Sequence, residues 1–206
     1  MEELLGHDVA RGIGMWIHLV RVPPSGTWDR RRADLFGDVE AWLGPPEVTL
    51  DDARDHLVRR YLGAFGPVSR ADVATWAGLP PTTVAPVLAR LPLRRFRSEA
   101  GEELLDLRRA SLPDPETSAP VRFLPPWDAT LLTHVRRTGI LPEEYRPRIF
   151  NTKMPQSVGT FLVNGSVAGA WRHQGGRVKL EPFHRIDRTT RRELDEESER
   201  LAAFHA

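Results

Sequence analysis

TLDDARDHLVRRYLGAFGPVSRADVATWAGLPPTTVAPVLARLPLRRFRSEAGEELLDL, residues 49–107, decides how the chain is read. Thr49 and Asp52 set a hydroxyl and a carboxylate three residues apart, the spacing that satisfies the unpaired amides of a helix start. Leu57, Val58, Tyr61, Leu62 and Phe65 then recur at helical period until Gly66-Pro67 stops the run. Ser69 and Asp72 repeat the capping pattern for a second helix that buries Val73, Trp76 and Ala77 and ends at Gly78. Across Leu79-Pro80-Pro81, Thr82 is the expected cap of a third helix with Val84, Val87, Leu88 and Leu91 inward and Pro86 in its first turn. After Pro92 the period changes, and LRRFRSEAGEELLDL folds back around Glu99-Ala100-Gly101 as two short strands. Helix, helix, helix, hairpin is winged-helix order, and the complete unit is assigned to residues 49–110.

In a winged helix the third helix commonly enters the major groove, while basic side chains and backbone amides hold phosphates. That makes Thr82 and Thr83, at the start of the third helix, candidate DNA contacts. Arg90, Arg94, Arg95 and Arg97 cluster where that helix passes into the wing and join them. The alternative is a solvated basic edge on a winged helix that binds protein.

The front of the chain repeats part of this pattern. Glu2 to Gly12 reads as a helix, Trp16 to Val22 as a strand, Pro23-Pro24-Ser25-Gly26 as a turn, and Thr27 to Arg30 as the returning strand. Residues 1–48 are therefore expected to be the last helix, wing and connecting helix of a second winged unit, in a truncated chain. The alternative is that Met1 is a true start and the hairpin docks on its neighbour.

Residues 111–206 are patterned differently. A stretch rich in proline and acidic residues, Ser111 to Pro120, leads to a strand near Val121, a turn at Pro125-Pro126 and an apolar segment ending in Arg136 and Arg137. Glu143 to Phe150 is expected to be a short helix. Gly159 to Val163 pairs with Val167 to Arg172 across Asn164-Gly165, a strong two-residue hairpin signal. A second turn at Gln174-Gly175-Gly176 returns the chain through Phe183, completing a three-stranded meander. A helix from Thr189 onward buries Leu194, Leu201 and Phe204. The class is α+β: winged-helix units followed by a small antiparallel β domain with a C-terminal helix.

Composition bounds the chemistry. With 206 residues, 40% of them apolar and 28% charged, the chain fills one large core or two small ones beneath a charged surface. It has no cysteine, which removes disulfides, thiolate catalysis and zinc-finger ligation. No apolar run reaches the length of a membrane span, and Met1-Glu2-Glu3 is acidic where a signal peptide is basic, so the expected location is the cytoplasm. Net charge is unevenly spread: eight basic against eleven acidic residues in 1–65, 17 against 11 in 66–186, and four against six in 187–206. The basic middle contains Arg136, Arg137, Arg146, Arg148 and Lys153, which extend the candidate DNA-binding set. Arginine supplies 27 of the 29 basic residues, a bias that GC-rich codons produce as readily as phosphate recognition.

Catalytic and metal patterns are mostly missing. Gly165-Ser166-Val167-Ala168-Gly169 lacks the spacing of a nucleophile elbow. The seven histidines show no ligand spacing, so neither metal nor cofactor is expected. Asp128 and His134 are near enough in sequence to form an acid–base pair around a turn, although Asp128 is equally suited to capping the segment that follows.

Several ordered blocks, LVRVPPSGTW (19–28), AWLG (41–44), RYLGAFGPVSRADVATWAGL (60–79), RFLPPWDATLLTH (122–134), ILPEEYRPRIF (140–150), GTFLVNGSVAGAWR (159–172) and KLEPF (179–183), resemble the AlkZ-like winged-helix DNA glycosylases. The resemblance implies tandem winged helices and a small β-rich domain forming a curved surface on double-stranded DNA, in a family whose members excise alkylated bases. It also implies a catalytic glutamine–hydrophobic–glutamine (or aspartate) motif in the N-terminal winged-helix region. The only glutamines here are Gln156 and Gln174, and neither stands in such a motif, so no catalytic residue carries over. The expectation is a DNA-binding chain without the catalytic module. The alternatives are a glycosylase with a different site or a separately encoded N-terminal module, and a protein-interaction module using Trp16, Trp28 and Trp42.

Overall fold

The computed structural model describes residues 18–27, 30, 35–150 and 158–204. The chain divides into two compact units, Met1–Asp52 and Ala53–Ala206. In the first, β1 (Leu19–Arg21) pairs antiparallel with β2 (Phe36–Asp38), Leu19 opposite Asp38. The expected turn at Pro23–Gly26 is present; of the expected return strand at 27–30, Thr27 and Arg30 lie outside any strand, and the two residues between them lie outside the described residues. Gly26 N–H donates to the Arg30 carbonyl at 2.8 Å and the Thr27 hydroxyl to the Pro24 carbonyl at 2.8 Å. These bonds hold Thr27 and Arg30 in the connection, and among the described residues the strand paired with β1 begins at Phe36. Asp38 then caps the short α1 (Val39–Leu43), accepting from Ala41 N–H at 2.8 Å. The helix predicted over Glu2–Gly12 lies outside the described residues, as do Trp16, Trp28 and Lys153.

The predicted series of three helices and a hairpin is present: α2 (Leu50–Phe65), α3 (Arg70–Ala77), α4 (Pro81–Arg90), β3 (Leu93–Arg97) and β4 (Glu103–Leu107). Thr49 and Asp52 exchange the expected capping bonds at the head of α2. Ser69 and Asp72 form a full capping box, and Gly78 closes α3 at φ 63° in the left-handed region where glycine carries no side-chain penalty. Val58, Tyr61, Leu62, Val73, Val84, Val87, Leu88, Leu91 and Leu105 form one core. A single β-bridge, Val68 to Leu105, ties the α2–α3 link to the hairpin. Trp76, expected in this core, is 37% exposed; it stacks on the outside of Tyr61 with ring centroids 4.5 Å apart.

The remaining elements are β5 (Arg122–Leu124), α5 (Ala129–Leu132), a 3-10 turn at Glu143–Tyr145 running into α6 (Arg146–Ile149), β6 (Gly159–Val163), β7 (Ser166–Gln174), β8 (Arg177–Pro182) and α7 (Arg188–Phe204). The sheet order is β5-β6-β7-β8, all antiparallel, so β5 adds a fourth strand to the predicted meander. Asn164 and Gly165 both have positive φ, 50° and 77°, as a two-residue turn of this hairpin requires. One sheet face packs with Leu194 of α7 around Phe161, and the other packs Leu162 against Leu131, Leu141 and Ile149. Phe204, expected to be buried, is 68% exposed. Two hydrogen bonds join the helical part to this β-rich part. Tyr61 Oη donates to the Thr133 carbonyl at 2.5 Å, and Val135 N–H donates to Asp72 Oδ1 at 2.6 Å.

Candidate nucleic-acid interface

α4 begins two residues earlier than the sequence predicts. Pro81 occupies its first position and no side chain caps it, so Thr82 is not the cap. Proline already lacks the N–H that a cap would satisfy and brings the helical φ with it. Thr82 is exposed and Thr83 half-buried in the first turn. Pro86 falls at the sixth helical position instead of the first turn. Its missing N–H leaves the Thr82 carbonyl without its helical donor on the exposed side of α4.

Strand alternation divides the arginines of the β3–β4 hairpin. Leu93 pairs with Leu107 and Arg97 with Glu103, so Arg95 and Arg97 project from one side of β3 and Arg94 from the other. Arg94 is built into the fold: its guanidinium donates to the Ala110 carbonyl at 2.6 Å, stands 3.6 Å from the buried Asp106 carboxylate and covers the Phe96 ring. Arg95 bonds Glu103, which Arg70 also reaches at 3.0 Å; these two cations hold the Glu103 carboxyl below its usual range. Arg97 donates to the Gly101 carbonyl at 3.0 Å. Arg90 pairs with Asp55, its Nε 2.7 Å from Oδ1. The four arginines expected in one cluster thus serve three different places.

The second basic group lies after α5. Asp128 caps this helix, accepting from Thr130 N–H at 2.8 Å. The proposed Asp128–His134 acid–base pair therefore does not form, because His134 faces Asp72 instead, Nδ1 to Oδ2 4.0 Å. Burial alone would push the Asp72 carboxyl up. His134, the Ser69 hydroxyl and the Val135 and Ser69 amides together hold it well below the usual carboxylate range. At 4.0 Å the imidazole stands beyond hydrogen-bond length from this oxygen. Sequence reasoning finds the Ser69–Asp72 box but misses this junction, whose partners lie 63 residues apart.

Beyond the junction, Arg136 pairs with Glu143 at 3.0 Å. Arg137 donates to the His134 carbonyl at 2.6 Å and lies over the Phe150 ring, 5.0 Å from its centroid. Arg146 lies over the same ring at 5.3 Å. Arg148 covers the Phe183 ring at 4.0 Å and reaches Glu181 at 3.3 Å. A third basic feature escaped the sequence reading: β7 and β8 continue past the end of β6. Pairing of β6 with β7 stops at Gly159 and Trp171, whereas β7 and β8 remain paired out to Gln174 and Arg177. The projecting ribbon carries Arg172, Arg177 and Lys179, all exposed, and borders a groove of about 740 Å³ lined by Pro126, Trp171 and Leu180. Glycines at the ribbon tip, following the Asn-Gly hairpin, were its signal in the sequence.

These elements define an α+β protein with three arginine-bearing surfaces. The family model described as DNA glycosylase AlkZ-like matches residues 3–204, and the chain belongs to the AlkZ-like family. Among solved structures, Streptomyces sahachiroi DNA glycosylase AlkZ is similar in fold, with a TM-score of 0.69 at 19% identity. The match covers 81% of this chain and 47% of that one, so the chain spans about half the length of that protein. No curated protein matches.

Proposed function

We propose that this chain is a duplex-DNA-binding member of the AlkZ-like family that holds the phosphate backbone and does not excise a base on its own. The organisation proposed with it is a partial winged helix at 1–48, a complete one at 49–110 and a β-rich domain at 111–206. The observation that carries the reading is the wing: Arg95 and Arg97 share one exposed side of the hairpin that follows α4. Thr82 and Thr83 stand at the other end of that helix, and the β7–β8 ribbon adds exposed cations. The surface ion pairs of Arg95 and Arg136 are no obstacle, since exposed pairs contribute roughly 0–1 kcal/mol and exchange for phosphate at small cost.

The argument against excision by this chain rests on its glutamines. Gln174 sits at the ribbon tip and accepts from Lys179 Nζ at 2.9 Å, Gln156 lies outside the described residues, and neither stands in a glutamine–hydrophobic–glutamine motif. Excision with a separately encoded N-terminal module is the alternative within the family. Protein contact is a second reading, favoured by Trp42 and Leu43, 51% and 68% exposed on α1. No helix among the described residues is long and apolar enough to cross a membrane, and the cytoplasm is the proposed location.

Fluorescence anisotropy on a labelled duplex tests the binding. The expected result is affinity that falls log-linearly with salt, with a slope near −0.9 for each phosphate neutralised. A folded protein that leaves the duplex unbound at low salt overturns the reading. Incubation with alkylated DNA followed by alkaline strand cleavage tests the second half. No strand breaks are expected from this chain alone, and breaks above background would refute that part.

A further inference from the structure

Of the four arginines between His134 and Phe150, two have carboxylate partners. Arg136 is held by Glu143 and Arg148 by Glu181. Arg137 and Arg146 are different: among the described residues, no acidic side chain forms an ion pair with either. Both guanidinium carbons instead lie within 5.3 Å of one ring centroid, that of Phe150. The two cations can be no farther apart than the sum of their distances to that ring. An aromatic face orients a guanidinium and weakly attracts it, but does not neutralise it.

The surroundings sharpen this asymmetry. Arg137 is partly buried, its Nε is enclosed without a hydrogen-bond partner, and its one bond among the described residues runs from Nη2 to the His134 carbonyl. Burial first, and the like charge of Arg146 second, make its ionised form harder to hold, offset in part by Asp72 and Glu143. Neither carboxylate closes on Arg137. Asp72 is occupied by Ser69 and Val135, and Glu143 by Arg136. Two oriented guanidinium groups without a carboxylate ion pair, on one aromatic ring, fit a tetrahedral oxyanion, which Arg146 reaches with a planar fork and Arg137 with the N–H groups that its His134 bond leaves available.

We propose that Arg137 and Arg146, gathered on the Phe150 ring, form a clamp for one phosphate group. This deepens the DNA-binding reading by naming the group held, and rests on that reading only for the source, a backbone phosphodiester as opposed to a free phosphate ion. The platform also separates this site from the wing arginines, which make no contact with an aromatic ring on their shared side.

The test uses the full chain labelled at arginine Nε, titrated with sodium phosphate and, at matched ionic strength, with sodium chloride. Arg137 and Arg146 resonances should move together and saturate with phosphate, with little response to chloride. Arg146→Gln should weaken the response of Arg137 about tenfold, while Arg146→Lys, which keeps the charge and loses the fork, should fall between. Arg137 is left unaltered because its bond to His134 holds the loop. Resonances that respond no more to phosphate than to chloride, or an Arg137 response that survives Arg146→Gln, overturn the clamp.

A parallel duplex titration identifies the source. Weaker duplex binding by Arg146→Gln, with a salt slope smaller by about one, assigns the clamp to the DNA backbone. Unchanged duplex binding alongside a phosphate response assigns it to a free anion. A phosphate response with no duplex binding at all refutes the DNA reading and leaves the clamp standing.

Discussion

Replacing Asp72 with alanine tests the junction between the helical and β-rich parts. Asp72 is 8% exposed, and its carboxylate accepts three bonds: Ser69 N–H at 3.0 Å, the Ser69 hydroxyl at 2.7 Å and Val135 N–H at 2.6 Å. Leaving the Val135 and Ser69 amides short of an acceptor at a buried site costs about 1–3 kcal/mol for each, the Ser69 share being the half of the capping box that Asp72 supplies. Some water entry offsets this, so the expected loss is about 3 kcal/mol. Asp72→Asn keeps one oxygen for Val135 N–H but turns a donor toward Ser69, and roughly half the loss is expected.

The pH dependence has a definite sign. The folded-state pKa of Asp72 is depressed, so its stabilisation is fully present above the unfolded value near 3.9 and is lost as pH falls through the folded one. Urea unfolding, followed by tryptophan fluorescence with Trp76 stacked on neighbouring Tyr61, measures both effects. The gap between wild type and Asp72→Asn should be widest near neutrality and shrink below about pH 4. An Asp72→Ala protein within about 0.5 kcal/mol of wild type at neutral pH, the range of an ordinary surface change, would refute the reasoning.

Reversing charge at Arg95 and Arg97 should weaken duplex binding equally across sequences and reduce the salt slope by about two, read by anisotropy. Arg94 is left out of that variant because its guanidinium supports Ala110 and Asp106. Tyr61→Phe removes the hydroxyl bond to the Thr133 carbonyl and should cost about 1 kcal/mol in urea unfolding. Gly169→Ala would place a methyl group against the Phe161 ring edge and 2.6 Å from the Glu181 carbonyl. Overpacking of this kind should cost about 2–3 kcal/mol, visible as a thermal midpoint lowered by several degrees.

The helices and hairpins were legible because their signals are local. Thr49 with Asp52, Ser69 with Asp72, and Asn164 with Gly165 each specify a cap or turn within four residues, and the structure contains all three. Errors arose where a local rule had a competitor. Thr82 is a good cap, but Pro81 starts the helix first. Thr27 to Arg30 has strand-forming residues, yet the turn's own hydrogen bonds retain Thr27 and Arg30, and among the described residues the strand paired with β1 begins at Phe36. Trp76 and Phe204 fall on apolar stripes at helical period but lie at the margin of their cores.

The candidate site was legible in composition and not in geometry. Charge counting located the basic middle of the chain, and period-two alternation, applied to β3, would have separated Arg94 from Arg95 and Arg97. Arg146 and Phe150 lie four residues apart, a spacing that the sequence shows, whereas the partners of Arg137 and Arg148 could not be read, because Phe150, Phe183 and Glu181 reach them only through tertiary packing.

The sequence by itself determined the order and kind of most elements and the α+β class, since periodicity, capping and residue identity act over a few residues. Only the tertiary structure decided which charges are already spent. A salt bridge or a cation–aromatic contact depends on distances of a few ångströms between residues tens of positions apart, and chain folding alone sets those distances.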